Sequence, residues 1–208
     1  MVGFRVPFSL KGIPVADHFV PRDDDMRLLE TIFQTSGKES RRRLFVVHGM
    51  GGIGKTQLCV EYARKHKADF SAIFWLDGSS RDAIRQSLAN AALELPSTSR
   101  SSGSLTPHHS EDIDRSIETV LRWLSLPENR HWLLIMDNID LDWQDTSHGE
   151  QAYDYKDFLP AADHGNVLIT TRLSRLQIPQ ASLHLGIVSD RVALEMLETY
   201  AGRRLSGM

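Results

Sequence analysis

The stretch Gly49–Thr56, with the sequence GMGGIGKT, holds the residues whose types and spacing are best suited to chemistry. It follows the apolar run FVVH, precedes the amphipathic run QLCVEYARKH, and matches the P-loop pattern G-x-x-x-x-G-K-[ST]. Closely spaced glycines let consecutive backbone N–H groups surround a phosphate without Cβ clashes, at the positive end of the following helix. In this pattern Lys55 would reach the β- and γ-phosphate oxygens, and the Thr56 hydroxyl would bind Mg²⁺. A glycine turn with an incidental Gly-Lys-Thr is the alternative, and the flanking strand and helix patterns disfavour it.

Two further residues stand where a phosphate site needs them. Asp137 follows the apolar run LLIM and would emerge at the carboxyl end of a strand, where ligands bind in open α/β sheets. Arg172 ends the run VLITTR, and its permanent, forked charge suits a γ-phosphate reached from a neighbouring strand. Each has a plainer interpretation, since an aspartate after a strand can start a turn and a strand-end arginine can simply be solvated. Together with the P-loop, they predict a site where Thr56 and Asp137 hold Mg²⁺. Lys55, Asp137 and Arg172 would act on the γ-phosphate.

Hydrophobic periodicity predicts the elements that position these residues. Short apolar runs bounded by turn residues predict strands, and 3.6-residue periods predict helices between them. This alternation indicates the α/β class with a mostly parallel central sheet. Together with the P-loop pattern of Gly49–Thr56, it predicts a P-loop NTPase three-layer sandwich. WLLIMD is the most apolar strand, which favours the centre of the sheet. The predicted strands are RRRLFVVHG, FSAIFWLDG, HWLLIMDNID, GNVLITTR and ASLHLGIVS. The predicted helices are 26–37, 56–67, SRDAIRQSLANAALEL, IDRSIETVLRWLS and DRVALEMLETYAG.

Composition divides the chain into a lead-in and one domain. Residues 1–25 contain three prolines and two glycines without a sustained period, so we expect an extended lead-in. Residues 26–208 form the predicted P-loop nucleotide-binding domain. Within it, the serine-, threonine- and proline-rich residues 96–112 have little to bury, which predicts a mobile surface loop.

Charge and cysteine content exclude several classes of protein. The 208 residues carry a net charge of −3, which is too balanced to indicate nucleic acid or an anionic membrane as a partner. The single cysteine, Cys59, excludes an internal disulfide and fits a reducing compartment. No apolar run approaches the roughly 18 residues of a membrane span. We therefore expect a cytoplasmic protein, and we interpret Arg41-Arg42-Arg43 as a solvated strand entry and His108-His109 as loop residues rather than metal ligands.

In this order, the motifs resemble the NB-ARC class of STAND ATPases, the nucleotide-binding module of NOD-like receptors. The likeness is strongest to fungal receptors that place this module before tetratricopeptide repeats. HGMGGIGKTQL resembles the family's Walker A, WLLIMDNID its Walker B, and GNVLITTR its sensor-1 strand. HFVPRDDDMRLLE resembles the entry element that contacts adenine, with Val20 and Arg22 matching and Pro21 and Asp23 departing. The nucleotide-binding residues that the resemblance and the P-loop imply are Val20, Arg22, Gly49, Gly51, Gly52, Ile53, Gly54, Lys55, Thr56 and Gln57.

Two departures from the family shape the expected activity. Many members carry Asp-Asp after the Walker B strand, whereas this chain has Asp137-Asn138. An amide cannot take a proton from attacking water, so general-base help is either missing or supplied elsewhere, with Asp140 as a candidate, and we expect slow hydrolysis. The family continues into a small helical domain and a winged helix, and neither pattern occurs before Met208, so we expect an excised domain or fragment.

The leading hypothesis is therefore a regulatory switch that binds ADP or ATP with Mg²⁺. The resemblance implies a downstream repeat domain, self-association of the full receptor, and a role in signalling or innate-immunity-like recognition. A turnover ATPase of a remodelling type, a GTP-preferring switch and a small-molecule kinase are the alternatives. Asn138 argues against fast turnover, and the Arg172 strand fits a small-molecule kinase poorly.

Overall fold

The computed structural model describes residues 6–10, 12–16, 19–20, 22–34, 41–96, 110–141, 152–176, 178 and 181–202. Strands and helices alternate through this part of the chain. In order they are α1 (Asp23–Gln34), β1 (Arg43–His48), α2 (Lys55–His66), β2 (Ala72–Asp77), α3 (Arg81–Ala92), α4 (Ser110–Ser125), β3 (Trp132–Asp137), β4 (Asn166–Thr171), β5 (Ser182–His184) and α5 (Asp190–Ala201). Two 3-10 turns, Tyr155–Phe158 and Ser174–Leu176, lie on either side of β4.

The strands form one parallel sheet in the order β2-β3-β4-β1-β5. The predicted α/β class and parallel sheet are confirmed. The prediction that WLLIMD is the central strand is wrong by one place, because β4 holds the centre, between β3 and β1. Both strands are buried on both faces, and high apolarity reports this burial rather than the position of a strand within the sheet.

Helices cover both faces of the sheet, which gives the expected three layers. Successive strand residues point to opposite faces, so Phe74 and Leu134 enter one apolar cluster, while Ile73 and Leu133 enter the other. The first cluster includes buried residues of α3 and α4, namely Ile84, Leu88, Val120 and Leu124. The second includes buried residues of α1 and α2, namely Leu29, Phe33, Leu58, Cys59 and Tyr62. Cys59 is thus a buried core thiol.

Two helices begin three residues earlier than their hydrophobic period predicts. α1 begins at Asp23 rather than Met26, so the lead-in ends before 25. α4 begins at Ser110, inside the predicted loop 96–112. Acidic residues occupy the first turn of both helices, where negative charge interacts favourably with the helix dipole, and this signal extends each helix beyond its apolar positions. Residues 97–109 of the predicted loop, with His108-His109, lie outside the described residues.

The described part of the lead-in contains no helix or strand and is tied to the domain by hydrogen bonds. The backbone N–H of Val6 donates to the Ser71 carbonyl at 2.9 Å. The Gln57 side chain in α2 accepts from the Ala16 N–H at 2.9 Å and donates to the Pro14 carbonyl at 2.6 Å. The lead-in therefore runs from the amino end of β2 to the start of α2, beside the P-loop.

The basic entry to β1 is less solvated than we expected. The Arg42 guanidinium donates to the Pro160 carbonyl at 2.8 Å, and that of Arg43 donates to the Phe33 carbonyl at 2.9 Å. Trp123 and Trp132 are buried, and Trp75 packs half-buried against the core, whereas Trp143 lies outside the described residues. Among the described helices, none is long and apolar enough to cross a bilayer.

Candidate functional site

The P-loop connects β1 to α2 in a backbone shape that only glycine adopts easily. Gly54, the residue before α2, has a φ of 101°, in the left-handed region, and its carbonyl accepts from Leu58 N–H at 2.9 Å. Gly49 has a φ of 156°, and a Cβ there would lie 2.5 Å from the Leu185 carbonyl oxygen. The loop therefore passes tightly against the exit of β5, which explains two of its four glycines.

Lys55 is the first residue of α2, and its side chain folds back over the loop. Its Nζ donates to the carbonyls of Gly49 at 2.8 Å and Met50 at 2.9 Å. Burial lowers the pKa of this ammonium below its usual value, and the nearby Arg172 acts in the same direction, while Asp140 and Asp137 oppose it. The Lys55 ammonium, which burial desolvates and which lies over a glycine-rich loop, is suited to bind an anion.

Thr56 and Asp137 meet at the carboxyl end of the sheet. The Thr56 hydroxyl lies 3.0 Å from both carboxylate oxygens of Asp137, and the hydroxyl of Thr170, from neighbouring β4, also donates to this carboxylate. Asp137 is 3% exposed. Burial raises its pKa above the usual value, and the nearby Asp77 acts in the same direction, while the two hydroxyl donors oppose the shift. The pair predicted to hold Mg²⁺ is therefore brought together, on a buried carboxylate.

Asn138 turns the chain sharply after β3. Its φ of 64° is left-handed, a conformation that asparagine tolerates better than most residues. Its backbone N–H donates to the Thr170 hydroxyl at 2.9 Å. The side-chain amide lies 3.4 Å from Asp137 Oδ2 and supplies no base.

Arg172, the residue after β4, lies beside the P-loop and is paired with Asp140. Arg172 Nε donates to Asp140 Oδ2 at 2.5 Å, and its backbone N–H donates to Oδ1 at 2.6 Å. The predicted placement of Arg172 on the strand beside the Asp137 strand is therefore observed. Asp140 is poorly placed to act as a base toward water, because both of its carboxylate oxygens accept hydrogen bonds from Arg172.

One cavity of about 610 Å³ gathers most of the predicted phosphate site. Predicted residues that line it are Gly51, Gly52, Gly54, Lys55, Thr56, Gln57 and Arg172. Asp137 lines an adjoining cavity of about 660 Å³ that the lead-in, β2 and α3 enclose. The two cavities share Pro14 and Asn138.

Val20 and Arg22, the two residues matched to an adenine contact, lie outside the lining of the 610 Å³ cavity. Val20 is 3% exposed. The Arg22 guanidinium donates to the Ile53 carbonyl at 3.1 Å, to the Gly186 carbonyl at 2.7 Å and to the Asp25 carboxylate at 2.8 Å. Arg22 thus joins the lead-in to the P-loop and to the segment after β5, and neither Val20 nor Arg22 lines the 610 Å³ cavity.

The oxygen donors fit a magnesium ion bound together with phosphate. A hydroxyl and a carboxylate are the hard ligands that Mg²⁺ prefers, and such sites usually hold the ion through one or two carboxylates and substrate phosphates. Within the described ranges, no group of three or more His, Cys, Asp or Glu side chains could hold a metal ion by itself. Thr56 and Asp137 would therefore supply the protein part of a shared coordination shell.

Sequence reasoning missed two contributors to this site, Thr170 and Ser79, and considered a third, Asp140, as a base rather than as the partner of Arg172. Thr170 donates to Asp137, Ser79 lines the 610 Å³ cavity after β2, and Asp140 binds Arg172. All three lie at or just after the carboxyl ends of adjacent parallel strands, so knowing the strand order would have indicated them.

The sheet order, the P-loop and the Thr56–Asp137 pair define the class as a P-loop ATPase domain. Residues 18–152 match the family model described as "AAA ATPase domain", and the chain belongs to this family. The fold also resembles solved structures of Cdc6p from Pyrobaculum aerophilum, with a TM-score of 0.58, and of the Aeropyrum pernix ORC1 protein in complex with DNA, with 0.52. The identities are 12% and 16%, each alignment covers 90% of this chain, and they cover 52% and 50% of those chains.

A curated relative is described as a nucleotide-binding leucine-rich repeat (NLR)-like protein, from Hyaloscypha variabilis. The alignment with this relative extends over 210 positions at 25% identity and covers 96% of this chain. The matched region is 20% of that relative's length.

Proposed function

We propose that this chain is an adenine nucleotide switch of the NB-ARC type, which binds ADP or ATP with Mg²⁺. The observation that carries the proposal is the contact of Thr56 with Asp137 beside Lys55, because these groups match the needs of a magnesium–phosphate complex. When bound, the nucleotide supplies the β- and γ-phosphates and the metal supplies charge neutralisation. Lys55 then leaves the loop carbonyls to bind phosphate, and Arg172 reads the γ-phosphate.

The surroundings of the site support slow hydrolysis. Asn138 follows the Walker B strand in place of an acid, and an amide cannot accept a proton from water. Asp140 is the acidic side chain among the described residues that line the 610 Å³ cavity, and Arg172 engages both of its oxygens. Binding energy would then bias two conformations of the protein rather than drive turnover.

The receptor context is part of the proposal. The NLR-like relative, most of which lies outside the matched region, supports a downstream repeat domain and self-association in the full-length protein. Val20 and Arg22 belong to the proposed adenine-contacting element, and the proposed compartment is the cytoplasm. The net charge of −3 supports a role without nucleic acid, and the ORC1 likeness, at 16% identity, is one of fold.

Turnover of ATP by a remodelling enzyme is the second candidate, and the AAA ATPase family match favours it. The rate of hydrolysis by the purified chain separates the two candidates. We expect less than about one turnover per minute, far below the ~10 per second typical of enzymes. Asn138→Asp restores an acid without straining the left-handed backbone, and we expect it to raise this rate.

Nucleotide binding is the direct test. Protein purified without added nucleotide is denatured, and any released nucleotide is identified by chromatography. Fluorescent ATP, ADP and GTP are then titrated with and without Mg²⁺, using wild type, Lys55→Ala and the matched control Lys65→Ala. Lys65 lies on the same helix but pairs with Glu30 away from the loop.

We expect Mg²⁺-dependent binding of adenine nucleotides that Lys55→Ala weakens by about 1.5–3 kcal/mol, the usual contribution of a hydrogen bond to a charged group. Lys65→Ala should bind as wild type does. Unchanged affinity in Lys55→Ala, or no binding of any nucleotide by wild type, contradicts the proposal. A preference for GTP supports the site but replaces adenine with guanine.

A further inference from the structure

Asp140 holds Arg172 at two points. Its Oδ2 accepts from Arg172 Nε at 2.5 Å, and its Oδ1 accepts from the Arg172 backbone N–H at 2.6 Å. The Asp140 side chain is 15% exposed, whereas that of Arg172 is 63% exposed. The Asp140 carboxylate is therefore held by its surroundings, whereas the exposed Arg172 side chain depends on this contact for its orientation.

The backbone after β3 sets the place of Asp140 independently of Arg172. The left-handed turn at Asn138 brings this segment back along the end of β4. There Ile139 N–H donates to the Thr170 carbonyl at 2.9 Å, and the Thr171 hydroxyl donates to the Ile139 carbonyl at 2.5 Å. The main chain next to Asp140 is thus hydrogen-bonded to β4, and this places Asp140 beside Arg172.

The Asp140 contact uses one end of the guanidinium and leaves the other end available. Among the described residues, Nη1 and Nη2 of Arg172 have no hydrogen-bond partner. The side chain lies over the P-loop, since a Cβ on Gly51 would be 3.5 Å from Arg172 Cδ and 3.9 Å from Nη1. Arg172 also lines the 610 Å³ cavity with Lys55 and Thr56. The forked terminal donors are the ones that suit a phosphate.

We infer that Asp140 is a positioning residue that orients Arg172 toward the γ-phosphate before nucleotide binds. This inference rests on the proposed function, in which Arg172 distinguishes ATP from ADP. A long, exposed arginine would otherwise lose its rotamer freedom on binding ATP, and holding Nε and the main chain in place removes part of that cost. Asp140 consequently serves as an anchor for Arg172 rather than as a base for water.

The test is the ratio of affinities for a non-hydrolysable ATP analogue and for ADP, each with Mg²⁺, measured by calorimetry. It compares wild type, Asp140→Ala, Asp140→Asn, Arg172→Ala and the double variant Asp140→Ala/Arg172→Ala. Asp140→Asn keeps the size of the side chain and one oxygen acceptor, so it remains informative if Asp140→Ala does not fold. Thermal unfolding of each variant checks folding.

We expect Asp140→Ala to weaken binding of the ATP analogue about three- to tenfold, with ADP affinity unchanged. Asp140→Asn should have an intermediate effect, because it keeps the acceptor for the backbone N–H but loses the charge. Arg172→Ala should reduce the preference for the ATP analogue further, and the double variant should match Arg172→Ala, because Asp140 acts through Arg172.

The other outcomes overturn the inference in distinguishable ways. If Asp140→Ala and Asp140→Asn keep the wild-type preference while Arg172→Ala loses it, Arg172 senses the phosphate without help from Asp140. If the Asp140 variants prefer the ATP analogue more strongly, the carboxylate competes with the γ-phosphate for Arg172. If Arg172→Ala keeps the preference, the sensor role fails, and Asp140 has nothing to position. Failure of wild type to bind nucleotide instead removes the proposed function itself.

Discussion

The Thr56 hydroxyl lies 3.0 Å from both carboxylate oxygens of Asp137, although Thr56 lies in the first turn of α2 and Asp137 ends β3. This contact joins the start of α2, directly after the P-loop, to the end of β3, although β4 separates β3 from β1 in the sheet. Asp137 is buried here, and burial raises the pKa of its carboxyl group, although the hydrogen bonds from Thr170 and Thr56 oppose the shift. The arrangement is therefore costly for the empty protein and useful for binding a cation.

Asp137→Asn should stabilise the empty protein and abolish Mg²⁺-dependent nucleotide binding. Because the folded-state pKa of Asp137 is raised, its protonated form favours folding at low pH, and this contribution is lost as pH rises through the folded pKa. At neutral pH the neutral amide removes the cost of the buried charge, which we expect to increase stability by about 1 kcal/mol at the expense of function. Thermal unfolding should show a Tm higher by about 2–4 °C.

The matched control is Asp77→Asn, which removes a carboxylate one strand away in the same register and leaves the Thr56 contact intact. This control should keep Mg²⁺-dependent binding. The Tm difference between wild type and Asp137→Asn should shrink as the pH is lowered through the folded-state pKa of Asp137. A lower Tm in Asp137→Asn at neutral pH would show that the hydrogen bonds to the carboxylate outweigh its burial.

Arg22→Ala should destabilise the domain, because Arg22 connects three separate segments. Its side chain, 11% exposed, donates to the carbonyls of Ile53 and Gly186 and to Asp25. Losing these bonds should cost about 2 kcal/mol and lower the Tm by roughly 4–8 °C. Arg27→Ala is the control, since Arg27 lies nearby in α1 but is exposed and pairs with the exposed Asp24.

The same Arg22 variant tests the proposed adenine contact through a second measurement. A changed ratio of ATP to GTP affinity would support a role in reading the base. A lower Tm with an unchanged ratio would restrict Arg22 to holding the lead-in against the P-loop. A wild-type Tm would contradict the structural role.

The fold and the centre of the site could be predicted because their signals are local. The glycine spacing before Lys55 and the apolar run before Asp137 each mark the end of a strand and the functional residue just beyond it. Parallel strands place these ends at one edge of the sheet, so the two signals imply one site. The order of strands in the sheet has no such local signal, and the sequence therefore misplaces the central strand.

Contacts between side chains and distant backbone groups could not be predicted from the sequence. The pairing of Asp140 with Arg172 depends on the left-handed turn at Asn138 and on β3 and β4 being neighbours. Two of the acceptors of Arg22, the carbonyls of Ile53 and Gly186, come from segments that meet it only in the folded chain. Residue type predicted that these residues matter, whereas three-dimensional position determines how they act.

Gly165→Ala should destabilise the core more than a surface substitution would. Gly165 precedes β4 with a φ of 86°, and a Cβ there would lie 2.2 Å from the Trp132 ring. Trp132 is fully buried, and its Nε1 donates to the Leu124 carbonyl at 2.9 Å, so the ring cannot move aside freely. We expect a loss of about 2–4 kcal/mol from backbone strain and overpacking.

Chemical denaturation compares Gly165→Ala with Gly186→Ala. A Cβ at Gly186 meets nothing within 4 Å, so this control should unfold as wild type does. Equal stability of the two variants would mean that Trp132 repacks without cost.

His48 should make the stability of the domain depend on pH below neutrality. It is the last residue of β1 and is 7% exposed, with its ring 5.0 Å from that of His184. Burial lowers the pKa of His48, and the nearby His184 and Lys55 act in the same direction. The unfolded chain therefore binds more protons than the folded chain once the pH falls below about 6.5, the usual histidine value, and stability is lost as the pH decreases.

His48→Gln removes this titration and should flatten the dependence of unfolding free energy on pH between about 7 and 5. Urea denaturation at several pH values measures it, with the exposed His131→Gln as a control that should keep the wild-type slope. The comparison between variants isolates His48, because all other groups titrate in each protein. If the unfolding free energies of wild type and His48→Gln depend on pH in the same way, the folded protein accommodates a charged His48. Protonation of His48 beside His184 would then cost the folded state no stability.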